Sequence, residues 1–103
     1  MSNTYSIIRD AIAKKHQVTA TYNGFYREFC PHVIGTKNGK QQTLVFQFGG
    51  TGSKPLPPSG EWRCMEIDKL QDVKATTGIW HTGPNHSRPQ TCVDNIDLEV
   101  VFD

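Results

Sequence analysis

The sequence lacks a marked excess of either charge, which limits how the protein can bind its partners. Its 11 lysines and arginines are balanced by 10 aspartates and glutamates, and the formal net charge is +1. A protein that coats DNA through the phosphates needs a strong basic excess. The composition therefore argues against that class, while a local basic site remains open.

Long apolar runs and a leader-like N-terminus are also missing. No stretch approaches the roughly 20 apolar residues that cross a bilayer. Residues 1–6 do not place a basic segment before an apolar one, as a signal peptide does. Only three cysteines occur, and their irregular spacing does not make a disulfide framework. We therefore predict a cytoplasmic protein in a reducing compartment, with no membrane partner.

The chain also lacks the spacings of structural zinc sites and the motifs of common enzymes. The zinc-binding residue types are present without CxxC or HxxxH pairs. They are Cys30, His32, Cys64, His81, His86 and Cys92. No phosphate loop, dinucleotide fingerprint or nucleophile elbow is present. Cys30 and His32 share a strand face, but no third group orients them as nucleophile and base. We predict no metal, no cofactor and no enzymatic activity.

What is present is the pattern of one small β-rich domain covering residues 1–103. Apolar residues at helical spacing predict a short amphipathic helix over residues 4–16. Two Asn-Gly pairs, typical of two-residue hairpin turns, separate alternating runs of β-formers. The predicted strands cover residues 18–22, 25–34, 41–48, 61–67, 72–75 and 93–102, with one helical turn over 68–71 and loops over 49–60 and 81–92.

This order of elements favours a particular architecture. The fifth strand is open to extension past Gly78 to Trp80. One helix and five or six short strands on tight turns favour a small closed β-barrel over a sandwich.

Two arginines lie on the apolar faces of their strands. Side chains alternate along a strand, so Arg27 shares a face with Phe29 and Val33, while Cys30 and His32 share the other. Arg63 likewise shares a face with apolar neighbours. If both faces point inward, the two guanidinium groups make an anion site at one mouth of the barrel. The alternative is that carboxylates neutralise them, or that they face solvent. The candidate carboxylates are Glu28, Glu61, Asp68 and Glu99.

Aromatic residues and the C-terminal strand leave further alternatives open. Base stacking and core packing are both open for four aromatic residues: Tyr22, Tyr26, Trp62 and Trp80.

In the last strand one face is apolar, with Ile96, Leu98, Val100 and Phe102. That strand can join the chain's own barrel or the barrel of a second copy. We expect a homodimer, because a closed barrel leaves few free edges.

Residues 5–75 resemble the WYL domain family. The resemblance is carried by TyrAsnGlyPheTyrArgGluPheCysProHisValIleGly at 22–35, LeuValPheGlnPhe at 44–48 and GluTrpArgCysMetGluIleAspLysLeuGlnAspVal at 61–73. The positions that fall on the family's pattern are Arg27, Pro31, His32, Leu44, Arg63, Asp68, Lys69 and Val73. Only Leu44 represents the name-giving Trp-Tyr-Leu run, because Gln42 and Thr43 replace its aromatic residues. Residues 76–103 form an extension beyond the resemblance.

The resemblance implies an Sm-like or SH3-like small barrel with a sensory or regulatory role, often in bacterial phage defence or transcriptional regulation. Its implied ligands are nucleotides or single-stranded nucleic acid. We therefore hypothesise a non-enzymatic module that binds such an anion through Arg27, His32, Arg63, Lys69, Tyr22 and Trp62. The alternative is a protein-interaction module that forms homo-oligomers or binds a partner through its edge strands.

Overall fold

The computed structural model describes residues 4–50, 60–81 and 92–100. One helix and six strands make up this part of the chain, and a short 3₁₀ turn follows the fourth strand. The elements are α1 (Thr4–Lys14), β1 (Gln17–Tyr22), β2 (Phe25–Lys37), β3 (Lys40–Gly50), β4 (Glu61–Glu66), the 3₁₀ turn (Ile67–Lys69), β5 (Leu70–Thr76) and β6 (Asn95–Glu99). The protein is therefore mainly β with one short N-terminal helix, as the sequence predicts. Within the described residues, no helix is long and apolar enough to span a bilayer.

The element boundaries differ from the predicted ones mainly at strand ends. β3 includes Gly49 and Gly50, which the sequence places in a loop. β5 ends at Thr76 and does not continue to Trp80. The rest of that first loop, at 51–59, and residues 82–91 lie outside the described residues, as does Phe102.

The strands form one antiparallel sheet. Its order is β4-β3-β2-β1-β5, and β6 pairs with β2. β6 pairs with the stretch of β2 from Val33 to Thr36, whereas β1 pairs with β2 from Phe25 to Phe29. Closure of this sheet into a barrel stays a prediction.

Both Asn-Gly turns form the hairpins that the sequence predicts. Asn23 and Gly24, between β1 and β2, have φ angles of 53° and 79°. Asn38 and Gly39, between β2 and β3, have φ angles of 52° and 80°. Positive φ at both central residues is the geometry of the type I′ turn, which matches the twist of the strands it connects.

The main core lies between α1 and one face of the sheet, here called the core face. Ile8, Ala11 and Ile12 of α1 are buried at helical spacing, as an amphipathic helix requires. They pack with residues of the sheet and its connections: Val18, Ala20, Phe29, Ile34, Val45, Met65, Ile67, Leu70 and Val100. α1 therefore covers the apolar part of the core face.

A β-bulge in β2 changes which side chains reach this core. Pro31 pairs with Val45 and Val33 with Leu44, so His32 is an extra residue on β2. An extra residue shifts the alternation of side chains by one position. As a result Ile34 reaches the main core with Phe29. Val33 packs in a separate cluster with Cys92 and Val93. The prediction that Val33 shares a face with Arg27 and Phe29 is therefore wrong.

A second bulge changes the C-terminal strand. Ile34 pairs with Leu98 and Gly35 with Ile96, so Asp97 is the extra residue of β6. Leu98 and Val100 pack on the main core, whereas Ile96 is 48% exposed. The predicted single apolar face of this strand is therefore wrong at Ile96. β6 joins β2 of its own chain, so the strand does not need a second copy to find a partner. The homodimer was predicted because the C-terminal strand needed an edge to pair with, and the pairing of β6 with β2 removes that reason.

Cys64 and Cys92 form a disulfide, contrary to the prediction from their spacing. Cys64 lies on β4 opposite Leu44. Cys92 packs beside the same Leu44 in the cluster that also contains Val33. Sheet pairing thus brings together two cysteines 28 residues apart, which spacing alone does not reveal. Because disulfides persist mainly in oxidising compartments, the cysteines no longer support a cytoplasmic location.

Candidate functional site

The two arginines lie on the core face, on strands separated by β3. Residues directly opposite one another in an antiparallel pair share a face. Arg63 lies opposite Val45, which belongs to the main core. Arg27 lies opposite Ala20 and two positions before Phe29, both of which also belong to this core. The predicted placement of Arg27 and Arg63 on one inward face therefore holds.

Arg27 is buried among aromatic and amide groups. Arg27 is 5% exposed. Its Cζ atom lies 5.3 Å from the ring centre of Tyr22 and 5.9 Å from that of Phe25. Nη1 donates a hydrogen bond to Oε1 of Gln47 at 3.3 Å. The Nε atom is buried and has no hydrogen-bond partner. An amide oxygen thus partly satisfies this guanidinium, but supplies no counter-charge.

The positive charge of Arg63 makes the buried positive charge of Arg27 less favourable. The pKa of Arg27 is lowered from its ordinary value, mainly because burial removes the charge from water and also because Arg63 repels it. Arg63 Nη2 lies 2.8 Å from Oε2 of Glu61, and this ion pair is partly exposed. Its Nε atom, like that of Arg27, is buried without a hydrogen-bond partner. Two like charges therefore share one region of the core face, with one carboxylate beside them.

Carboxylates elsewhere in the described residues do not neutralise Arg27. Of the 10 acidic residues in the chain, only Asp103 lies outside the described part. None of the others forms an ion pair with Arg27. Of the four carboxylates that the sequence offers as partners, only Glu61 pairs with either arginine. A buried guanidinium without a carboxylate is the arrangement expected where an external anion binds.

Of the other predicted site residues, Tyr22 lies beside Arg27, whereas Lys69 pairs with a carboxylate of its own. Tyr22 flanks Arg27, and its hydroxyl accepts a hydrogen bond from the backbone N–H of Glu66 at 3.2 Å. Lys69 Nζ lies 2.7 Å from Glu66 Oε2, and its side chain is 56% exposed. The pKa of Lys69 is raised, chiefly by this hydrogen-bonded carboxylate. Lys69 is therefore a solvent-exposed cation at the end of β4 with a carboxylate partner of its own.

His32 and Trp62 lie on the opposite face, away from the arginines. Trp62 follows Glu61 and precedes Arg63 on β4, so its side chain points to the other side of the sheet. The rings of His32 and Trp62 meet edge to face, with centroids 4.7 Å apart. His32 Nδ1 lies 2.8 Å from the carbonyl oxygen of Cys30, so that nitrogen carries the proton. The structure thus divides the predicted site residues: Tyr22, Arg27 and Arg63 lie on the core face, His32 and Trp62 on the opposite face, and Lys69 in the 3₁₀ turn.

The two other aromatic residues considered for stacking have other neighbours. Trp80 packs against the main core and beside His32, with ring centroids of Trp80 and His32 4.7 Å apart. Tyr26 donates a hydrogen bond from its hydroxyl to Glu28, and is 50% exposed. As neighbours of Arg27 along β2, Tyr26 and Glu28 point to the face opposite to it.

Two residues of the site were not predicted from the sequence, Phe25 and Gln47, whereas Glu61 was among the candidate carboxylate partners of the arginines. Phe25 shares the face of Arg27 by simple alternation, so the period-two pattern identifies it. Gln47 shares the core face with Val45, two positions before it on β3, and the register shift between Glu28 and Phe29 places it opposite Phe29. The sequence does not reveal that shift, so it does not predict that Gln47 contacts Arg27. We call Tyr22, Phe25, Arg27, Gln47, Glu61 and Arg63 the arginine site.

Metal-binding side chains do not cluster in the described part of the chain. No group of three His, Cys, Asp or Glu residues is positioned there to hold an ion. Cys64 and Cys92 are joined to each other, and His86 lies outside the described residues. The predicted absence of a metal stays a prediction.

Comparisons with models of known protein families, with curated protein sequences and with solved structures found no match. The resemblance to the WYL family rests on the residues quoted above. The geometry of the arginine site is therefore the main basis for a functional proposal.

Proposed function

We propose that this protein is a non-enzymatic module that binds an anionic ligand, a nucleotide or a segment of single-stranded nucleic acid, at the arginine site. The observation that carries this proposal is the state of Arg27. Its charge is buried beside a second arginine, its Nε has no hydrogen-bond partner, and no described carboxylate pairs with it. A phosphate group would supply both the missing charge and the missing acceptors.

The proposed architecture is a small barrel of the Sm-like or SH3-like type. Two features support closure. The strands at the two ends of the sheet order, β4 and β5, are consecutive in the chain and are joined by the 3₁₀ turn Ile67–Lys69. The Glu66 N–H, at the end of β4, donates to the Tyr22 hydroxyl of β1, which is three positions away from β4 in the sheet order. In such a barrel the arginine site lies at one mouth, with α1 covering the core elsewhere.

The choice of nucleotides among anions rests on the resemblance to the WYL family and on the aromatic rings beside Arg27. Aromatic side chains next to cationic ones are the usual means by which small barrels hold bases and phosphates together. A sensory or regulatory role follows from the same resemblance. On this proposal, a partner molecule would respond to whether the arginine site holds a ligand.

The test measures separately how Arg27 affects ligand binding and how it affects the stability of the ligand-free protein. Arg27→Met keeps the apolar stem and removes the charge, so we expect the ligand-free protein to be as stable as the wild type or more stable. The same change, like Arg63→Ala, should weaken binding of nucleotides or oligonucleotides by about tenfold or more, because a hydrogen bond to a charged group contributes about 1.5–3 kcal/mol. Thermal shift and titration calorimetry measure the two effects.

Arg9→Ala is the matched control. Arg9 is an exposed arginine of α1 that pairs with Asp97 of β6, so its loss removes the same charge without changing a residue of the arginine site. Equal affinity in wild type and Arg27→Met would contradict the proposal. A loss of stability in Arg27→Met without any ligand binding in wild type would show that Arg27 is structural.

Self-association through an edge strand is the second candidate function. β4 and β5 are the ends of the sheet order, so in an open sheet each would offer one edge on which a further strand can pair. If this edge pairing is the function, sizing chromatography will show concentration-dependent association that nucleotides do not change. The predicted homo-oligomer is tested by the same measurement.

A further inference from the structure

Phe25 is the exposed ring of the arginine site. It follows the Asn23-Gly24 turn, pairs with Tyr22 across the hairpin and is 36% exposed. Tyr22 packs against the main core and its hydroxyl accepts a hydrogen bond from the Glu66 N–H. Phe25 is not part of that core cluster. The two rings that flank the Arg27 guanidinium therefore differ, since one is held by the core and the other is open to solvent.

Phe25 places an exposed aromatic ring beside the buried guanidinium of Arg27. The Arg27 Cζ atom lies 5.9 Å from the centre of the Phe25 ring. The arginine lacks a described carboxylate partner and the ring is open to solvent. A ligand that contacts both groups would present an anion to Arg27 and a flat apolar group to Phe25. Base stacking on an aromatic side chain tolerates any base, because every base has a π-face.

We propose that Phe25 is the base-stacking residue of the arginine site, so that the ligand is recognised as an aromatic base joined to a phosphate and not as a phosphate alone. This inference rests on the proposed function. Free nucleotides and single-stranded nucleic acid share this chemistry, and the experiment separates them.

The experiment compares ligands with and without a base. Adenosine 5′-monophosphate, ribose 5-phosphate and an oligoadenylate without a terminal phosphate are titrated into the wild-type protein and three variants. We expect adenosine monophosphate to bind the wild type about tenfold more tightly than ribose 5-phosphate, which is the size of one stacking interaction. Phe25→Ala should remove this tenfold preference, so that the two ligands bind the variant with affinities within about twofold of each other.

Two further variants keep the test interpretable. Phe25→Leu retains apolar volume but not the π-face, and should lose the preference even if Phe25→Ala fails to fold. Tyr26→Ala is the matched control, because Tyr26 is the next residue along β2, is 50% exposed and points away from Arg27. It should retain the tenfold preference. Tighter binding of the oligoadenylate than of the mononucleotide would identify a strand as the ligand, and the reverse would identify a free nucleotide.

The outcomes distinguish this inference from the proposed function. If adenosine monophosphate and ribose 5-phosphate bind equally to the wild type, the anion site stands and the role of Phe25 is refuted. If Phe25→Ala weakens both equally, Phe25 only positions Arg27, and the inference is again refuted. If none of the three ligands binds the wild type, the proposed function fails and this inference fails with it.

Discussion

The guanidinium of Arg63 is held by the carboxylate of Glu61, two residues earlier on the same edge strand. The Nη2 and Oε2 atoms are 2.8 Å apart, and the Glu61 side chain is 45% exposed. On the proposed function, an arriving phosphate would compete with Glu61 for Arg63, whereas it would meet no described carboxylate at Arg27. Glu61 would then limit the affinity of the arginine site for anions.

Replacing this competitor should tighten anion binding. We expect Glu61→Gln to raise the affinity for adenosine monophosphate by roughly two- to fivefold, the range set by the strength of a partly exposed ion pair. Titration calorimetry at fixed ionic strength measures the change. Glu28→Gln is the control, since Glu28 adjoins Arg27 in the chain but lies on the opposite face and accepts from Tyr26. An equal gain in both variants would mean that only net charge matters.

The sequence predicts the parts of this fold that depend on local geometry. The two Asn-Gly turns, the amphipathic face of α1 and the alternation that aligns Arg27 with Phe29 are all properties of adjacent residues. Arg63 reaches the same face because β4 runs its length without a bulge in its pairing to β3. The shared face of Arg27 and Arg63 could therefore be predicted from the sequence alone.

The parts that the sequence does not reveal depend on long-range pairing. The bulges at His32 and Asp97 each insert one residue, and each reverses the face of every residue beyond it. Val33 and Ile96 consequently depart from their predicted faces. The resemblance that grouped His32 and Trp62 with the arginines compares positions along the chain, and it does not determine which face of a sheet each side chain occupies.

The Cys64–Cys92 disulfide should stabilise the fold by closing a long loop. A closed loop of 28 residues contributes about 3–4 kcal/mol in the chain-entropy estimate. We expect Cys64→Ser/Cys92→Ser to melt well below the wild type, and reductant to lower the melting temperature of the wild type but not of the double variant.

Thiol titration provides the control for that experiment. Cys30 is buried, and burial raises the pKa of its thiol to about 11, against a smaller lowering by the His81 N–H hydrogen bond. The folded protein should therefore show no fast-reacting thiol at neutral pH. The unfolded, unreduced protein should show one, that of Cys30. Three thiols after unfolding without reductant would mean that the disulfide does not form.

Acid should weaken the contact between α1 and β6 through Asp97. Oδ2 of Asp97 accepts hydrogen bonds from the Tyr5 hydroxyl at 2.6 Å and from Arg9 Nε at 3.0 Å. These two donors lower the pKa of Asp97 below its ordinary 3.8. The same contact and burial raise the pKa of Tyr5 to about 12, so its hydroxyl remains a donor at ordinary pH.

The sign of the effect follows from the direction of the shift. A carboxyl group whose pKa is lower in the folded than in the unfolded protein stabilises the fold above its unfolded value, and this contribution is lost as the pH falls through the folded value. The difference in unfolding free energy between wild type and Asp97→Asn should therefore be largest near neutral pH and shrink below about pH 4. Urea titrations at several pH values measure it. A difference that does not change with pH would show that the Asp97 charge is not coupled to folding.

The C-terminal strand should be required for folding and not only for association. Val100 is 7% exposed within the main core, and β6 supplies backbone hydrogen bonds to β2. Gly35 allows the close approach, because a Cβ atom there would overlap the Asn95 carbonyl oxygen. We expect Val100→Ala to lower the unfolding free energy by about 2 kcal/mol, and Ile96→Ala, at an exposed position, by less than about 0.5 kcal/mol.

Deletion of residues 94–103 should leave the protein unfolded at every concentration, as circular dichroism and sizing chromatography would show. A truncated protein that stays folded but changes from dimer to monomer would mean that the strand belongs to a partner's sheet, and would contradict its pairing within one chain.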